Sequence, residues 1–357
     1  MGKRDWSWTI LGLMALGLRW LAIRYPEATD DIYSRTFFPG IRNVIDLTLG
    51  HLPFPSVYLF ILSIVILIGI FIRNFYKTKG WKNRSILSIR SLLNSLGAIV
   101  FFFLVLWGFN YQRTPIFKQL SLTPKSLNLE QIKSEVQITQ RLVTQYRGQI
   151  STDTAAIGEI IAYPELEKLV RGNMSENLDL LGLNFTGRPR TKLFPPPGFM
   201  RKMGILGIYF PFTGESYIDP TLHPLERPFT VAHEMAHSYG VTDEGEANFI
   251  AWVICTNSND PLLRYSGQLR LLLYQIRDYY RMAPDQYKEW LKTLDVSVRN
   301  DIRSIQAENA KYQPISLEIS RKTNDIFLKS QGVKAGINSY QQLPMLAYAW
   351  RERMKEF

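Results

Sequence analysis

The sequence predicts a mainly helical α+β protein in which three N-terminal transmembrane helices precede a domain with a small β-sheet and a helix carrying His-Glu-x-x-His. Three observations carry that prediction. The first 109 residues hold three long apolar runs. Most of the remainder repeats apolar residues at helical spacing. One β-branched, glycine-punctuated stretch, 204–219, stands shortly before His233-Glu234-Met235-Ala236-His237. With 357 residues, 46% of them hydrophobic and 13% aromatic, the chain can fill one large or two ordinary domains, which excludes a mainly disordered protein.

The first run, 6–23, is broken only by Arg19 and is followed by no clean small-x-small cleavage site, so it reads as an uncleaved span rather than a signal peptide. The second, 54–72, has no charge and is about as long as a bilayer core is thick. The third, 92–109, has Asn94 and Ser95 as its polar exceptions. Between the last two lie Arg73, Lys77, Lys79, Lys82, Arg84 and Arg90 with no acidic residue, whereas 24–53 mixes Arg35 and Arg42 with Glu27, Asp30, Asp31 and Asp46. Positive charge is retained on the cytoplasmic side, so 73–91 is expected there. Three crossings then put the N-terminus inside and everything after Tyr111 outside. Lys3 and Arg4 agree with this orientation, and Arg19 and Arg24 pull weakly against it. The expected division is a membrane domain, 1–111, and an extracytoplasmic domain, 112–357, of a multi-pass protein of the cytoplasmic (inner) membrane.

The same basic loop accounts for much of the formal charge of +11. No platform of interleaved aromatic and basic residues accompanies it, so nucleic acid is not an expected partner; the lipid bilayer and a peptide or protein substrate are. The single Cys255 excludes an internal disulfide framework and any multi-cysteine zinc site, and reads as a small buried side chain.

In the outer domain, Leu129, Ile132, Val136, Ile138, Leu142, Val143 and Tyr146 predict a helix over 128–149, with a weaker one over 163–170. The run from Leu193 through Pro195, Pro196 and Pro197 to Gly198 predicts a rigid non-helical connector. The stretch 204–219 predicts two short strands joined by a turn around Phe212 to Glu215. Gly207, Ile208 and Tyr209 are then candidates for an edge strand that binds an extended peptide through backbone hydrogen bonds, with a plain core hairpin as the equal alternative. Further helices are expected over 262–280, 285–294, 296–312, 315–330 and 343–354, and Arg264 and Arg270 make the Leu-rich run at 262–276 too charged to be a fourth span.

On a helix, His233 and His237 project from one face, so two imidazoles can grip one metal ion while the neighbouring Glu234 stays free to activate water. Pro224 and Pro228 bracket the entry to that helix and Gly240 fits its end. Asp243 reads as the N-cap of the next helix, with Glu246 completing a capping box. Glu246 thus has a structural task and Glu244 has none, which makes Glu244 the preferred third ligand and Glu246 the alternative. Asn248, four residues after Glu244 on the same face, is a candidate for orienting a ligand by hydrogen bond.

His233-Glu234-x-x-His237 followed by Glu244-x-x-Ala247-Asn248 resembles the gluzincin metallopeptidases, and the Glu-x-x-Ala-Asn form is similar to that of the ImmA/IrrE-type peptidases. The resemblance implies a zincin-like fold, one zinc ion per chain held by His233, His237 and Glu244, and Glu234 as general base. Over nearly its full length the chain also resembles an uncharacterised family of bacterial membrane proteins, on its three spans, Asn110-Tyr111-Gln112-Arg113, Pro211-Phe212-Thr213-Gly214-Glu215 and Glu244-x-Glu246-Ala247-Asn248-Phe249. Two features depart from the gluzincins: the gap between His237 and Glu244 is very short, and no histidine follows His237 to stabilise an oxyanion. Tyr340, in a Gly-flanked loop, Tyr217 or the upstream His223 are the candidates for that role, with an ordinary packed side chain as the alternative reading of each tyrosine. The expected function is a membrane-anchored zinc-dependent endopeptidase that hydrolyses peptide bonds of exported or envelope proteins by metal-activated water. The alternative is a non-catalytic zinc-binding envelope scaffold or sensor. Intramembrane proteolysis is disfavoured because the motif stands about 120 residues after the last expected span, in sequence of ordinary polarity.

Overall fold

The computed structural model describes residues 5–183 and 186–355; Lys3 and Arg4 lie outside them. The chain divides into two compact units, one made of 1–114 together with 210–215, the other of 115–209 and 216–357.

In the first unit, α1 (Ser7–Arg24) leads into α2 (Pro26–Thr29), a π-helical segment Asp30–Phe37 and α3 (Phe38–Leu47), and then come α4 (Val57–Lys77) and α5 (Trp81–Leu106). Helix α1 packs closely along α5 because glycines face each other: a Cβ at Gly12 would come 2.6 Å from the Gly97 backbone, and one at Gly97 would come 2.3 Å from the Trp8 carbonyl oxygen. Small residues at such crossings let backbones approach. The polar exception Asn94 accepts from the Thr9 amide and hydroxyl, both at 3.0 Å, and so caps the first turn of α1.

Two helices among the described residues, not three, are long and apolar enough to cross a membrane: α4, with a mean hydropathy of 2.3, and α5, with 2.0. The expected first span does form α1, but Arg19 in its interior and Arg24 in its last turn lower its apolarity below that of a span. The expected loop 24–53 is largely helical, and α4 and α5 absorb most of 73–91, leaving 78–80 between them. Helical hydrogen bonding continues wherever the backbone allows it; the apolar run marks where lipid would end, not where the helix does.

The second unit is mainly helical, as its periodicity predicts. It comprises α6 (Ile116–Gln119), α7 (Leu129–Ile150), α8 (Tyr163–Leu180), β1 (Thr191–Leu193), α9 (Phe199–Lys202), β2 (Gly207–Phe210) and β3 (Glu215–Ile218) apart from their end residues Phe210 and Glu215, which belong to the first unit, α10 (Arg227–Ser238), α11 (Glu244–Asn257), α12 (Pro261–Met282), α13 (Pro284–Thr293), α14 (Val296–Ala310), α15 (Leu317–Ser330), a 3-10 segment Gly336–Gln342 and α16 (Leu343–Lys355). One apolar cluster gathers α8, α10 and α11 through Met174, Val231, Ala232 and Ile250. The other gathers α7, α12, α13 and α14 through Val136, Leu272, Trp290 and Val298. Arg147 and Asp301, both buried, join α7 to α14 at 2.7 Å, and Asp301 also accepts from the Tyr265 hydroxyl and the Ile157 amide. With hydrogen bonds on both of its members, this buried pair avoids the cost of an uncompensated charge.

The sheet has the order β1-β3-β2, with β1 parallel to β3 and Thr191 paired with Ser216. Strand β2 is therefore an edge strand. β1 stands just before the expected connector and shares only Leu193 with it; three residues beside a proline run carry no strand signature of their own.

Candidate metal centre

Helix α10 starts with Pro228 in its first turn, where a missing amide costs nothing, and runs through the core, with every residue from Pro228 to Ser238 except Thr230 buried. It stops at Gly240, whose φ of +84° favours glycine. The chain then turns back, with the Gly240 amide donating to His237 and the Val241 amide to Ala236. Asp243 caps α11 by accepting from the amides of Gly245 and Glu246. Glu244, the first residue of α11, is thereby delivered opposite the two histidines across a six-residue link.

The atoms His233 Nε2, His237 Nε2 and Glu244 Oε2 form a triangle with all three sides 3.2 Å long. Zinc with bonds of about 2.0–2.1 Å in a tetrahedral site needs ligand atoms about 3.3 Å apart, so the triangle fits one face of that tetrahedron. His237 Nδ1 stands 2.7 Å from the Val241 carbonyl oxygen. A hydrogen on Nδ1 donated there leaves the Nε2 lone pair directed at the triangle, the usual outer support of a ligating histidine. The groups are those a divalent cation needs, and among the described residues no other such cluster of His, Cys, Asp or Glu occurs.

Electrostatics point the same way. Burial disfavours the charged form of His237, but the Glu244 carboxylate beside it outweighs that and lifts its pKa to about 9. Burial likewise works against Glu244, yet the charge of His237 and hydrogen bonds from both histidines hold its carboxyl well below the usual range. His233 is pushed down, chiefly by burial. A metal ion must therefore displace a proton from His237. The sign follows: below about 9 the imidazolium is the resident form and cannot ligate. Zinc affinity is expected to rise by about tenfold per pH unit from roughly pH 6.5 to roughly pH 8. Zinc titrations across that range check this; a flat profile contradicts it.

Glu234 stands next to the triangle, and its Oε2 is buried without a hydrogen-bond partner. Burial is the main cause that raises its pKa to about 8; the charge of His237 opposes this and that of Glu244 adds to it. Strand β2 passes directly over it, since a Cβ on Gly207 would lie 2.4 Å from Glu234 Oε1. Ile208, next along β2, is exposed and Tyr209 is buried. From the middle of the sheet, the Ser216 hydroxyl lies 2.7 Å from both the Glu234 carbonyl oxygen and the Ser238 hydroxyl, which binds β3 to α10.

Tyr340, in the 3-10 segment, has its phenol beside Glu244; burial first and that carboxylate second raise its pKa well above the usual value. The Asn324 side chain of α15 donates to its hydroxyl at 3.4 Å. Asn248 donates not to a ligand but to the Tyr340 carbonyl, at 3.2 Å, and at longer range to the Tyr274 hydroxyl. Gly245 gives the 3-10 segment room, because a Cβ there would lie 2.7 Å from the Ser339 carbonyl oxygen. Glu246 accepts the Phe117 amide at 3.1 Å and lies outside the ligand triangle. His223 is bonded to Ser304 and to the Leu225 amide, so its ring serves the turn before α10. Tyr217 is buried in the sheet against Phe194. Sequence reasoning misses Ser216, Ser238 and Asn324, whose partners come from distant segments and whose residue types carry no motif.

The chain matches the family described as protein of unknown function (DUF3810) over residues 33–348. No curated protein and no solved structure matches it.

Proposed function

We propose that this chain, which belongs to the DUF3810 family, is a membrane-anchored zinc-dependent endopeptidase that hydrolyses peptide bonds of exported or envelope proteins. The observation that carries the reading is the 3.2 Å triangle of His233, His237 and Glu244 beside the unpartnered carboxylate oxygen of Glu234. Those three side chains would hold the ion, and zinc there would supply Lewis acidity toward a water and the scissile carbonyl. Glu234, kept out of the ligand set, takes the proton from the attacking water and returns it to the leaving amine. Its raised pKa suits a group that must both accept and release a proton near neutral pH. An extended peptide lying antiparallel along the free edge of β2 would pass Gly207 and so bring its carbonyl to Glu234.

Tyr340 is the donor for the developing oxyanion, held by Asn324 at its hydroxyl and Asn248 at its carbonyl. Tyr340→Phe is expected to lower kcat by about 10²-fold with KM little changed, because the hydroxyl acts only on the charge of the transition state. An unchanged kcat in steady-state assays removes Tyr340 from the mechanism. A structural clip or sensor is the weaker reading, since a structural zinc fills four protein ligands and three converge among the described residues.

Helices α4 and α5 supply the anchor, and Lys77, Lys79, Lys82 and Arg84 around the turn between them favour a cytoplasmic position for that turn. The metal centre is then extracytoplasmic. Metal analysis of the purified full chain tests the proposal: one zinc per chain, removed by a chelator and restored by zinc, supports it, and a chain that takes up no zinc overturns it.

A further inference from the structure

We propose that Arg42, Ser56 and Phe60 are positioning residues for the peptide-binding strand β2, acting through the turn that joins β2 to β3; this rests on the peptidase reading above. The residues of that turn, 210–215, belong to the first compact unit. A four-residue strand with one free edge has little stability of its own, and its placement depends on what holds its ends. Here one end is held by buried polar bonds. Glu215 is wholly buried, and its Oε2 accepts from the Ser56 amide at 2.9 Å and from the Ser56 hydroxyl at 2.6 Å. Arg42, also buried, donates to the Gly214 carbonyl and pairs with Asp46 at 2.6 Å.

Apolar contacts complete the grip. Phe60 lies 5.1 Å from the rings of both Phe210 and Phe212. Gly214, at φ +64°, turns so close to Ile45 that a Cβ there would stand 2.5 Å from its Cδ1. Withdrawing the turn would strand a buried carboxylate and a buried guanidinium without these partners, a cost that keeps it seated. The strands leaving the turn carry the catalytic contacts: Gly207 of β2 against the Glu234 carboxylate, and Ser216 of β3 bonded to the Glu234 carbonyl. Holding the turn therefore sets the register of β2 before substrate arrives, and preorganisation of this kind appears in substrate binding. Phe60 lies on α4, one of the two candidate spans.

The test uses the full chain in nanodiscs. In Glu215→Ala, amide exchange across 207–210 is expected to accelerate by about tenfold or more while α7 and α12 keep wild-type protection. KM for a peptide should rise by about tenfold with a smaller change in kcat, and Glu215→Gln, which keeps an acceptor for Ser56, should restore both. Phe212→Ala, which removes the ring contact without touching the buried carboxylate, should give the same local pattern in milder form. Unchanged exchange across 207–210 in both alanine variants, or acceleration spread equally over α7 and α12, overturns the proposal. Zinc content separates it from the reading on which it rests: local loosening in the alanine variants of a chain whose wild type binds no zinc leaves the grip standing and ends the peptidase, whereas a wild type that binds zinc, with the strand unaltered in the variants, does the reverse.

Discussion

Glu234→Gln is expected to retain one zinc per chain and to lose peptide hydrolysis by about 10³-fold, the range for removing a positioned general base. The substitution keeps the shape that fits beneath Gly207 and leaves the triangle of His233, His237 and Glu244 intact, because Glu234 is not one of its corners. It removes a basic oxygen that is buried and without a hydrogen-bond partner. A glutamine amide cannot accept a proton from water, so binding and chemistry separate cleanly. Metal analysis and a peptide assay on the same preparation check the result; hydrolysis at the wild-type rate would assign the base elsewhere.

His237→Ala is expected to abolish zinc binding, with an effect larger than the about 10–100-fold loss that follows removal of an outer-shell partner. The residue is doubly held, by Val241 at Nδ1 and by Glu244 at Nε2, and its loss leaves two ligand atoms, too few for a tight site. The same experiment decides the third ligand. Glu244→Gln should weaken zinc binding strongly, whereas Glu246→Gln should keep it, since the latter carboxylate serves the Phe117 amide. Equal loss in both variants contradicts the assignment.

What could be read from the sequence is what depends on neighbours along the chain. The histidines sit one helical turn apart, and Gly240 and Asp243 announce the turn that presents Glu244, so this part of the centre is local information. The glycines of 204–219 announce a hairpin, although not that Gly207 would meet Glu234. The fold class followed from periodicity in the same way. Tyr340 is different: its Gly-flanked loop makes it a candidate, but only the position of the 3-10 segment against Gly245 brings it to the centre. The bonds from Ser216 to Glu234 and from Asn324 to Tyr340 are tertiary and involve residue types found on any surface. Asn248, four residues from Glu244, supports the backbone that carries the tyrosine, because a shared helical face specifies direction and not which partner fills it. In the N-terminal part, apolarity located α4 and α5 but overcounted the candidate spans, since α1 mixes two arginines into an apolar helix that packs along α5.

The most direct test is a cleavage assay with the zinc-loaded full chain in a membrane mimetic against a mixture of unstructured peptides, read by mass spectrometry. The account predicts cuts at internal peptide bonds that stop on chelation, return with zinc and are absent in Glu234→Gln. A chain with one zinc bound that leaves every peptide intact, or cleavage that survives in Glu234→Gln, would contradict it.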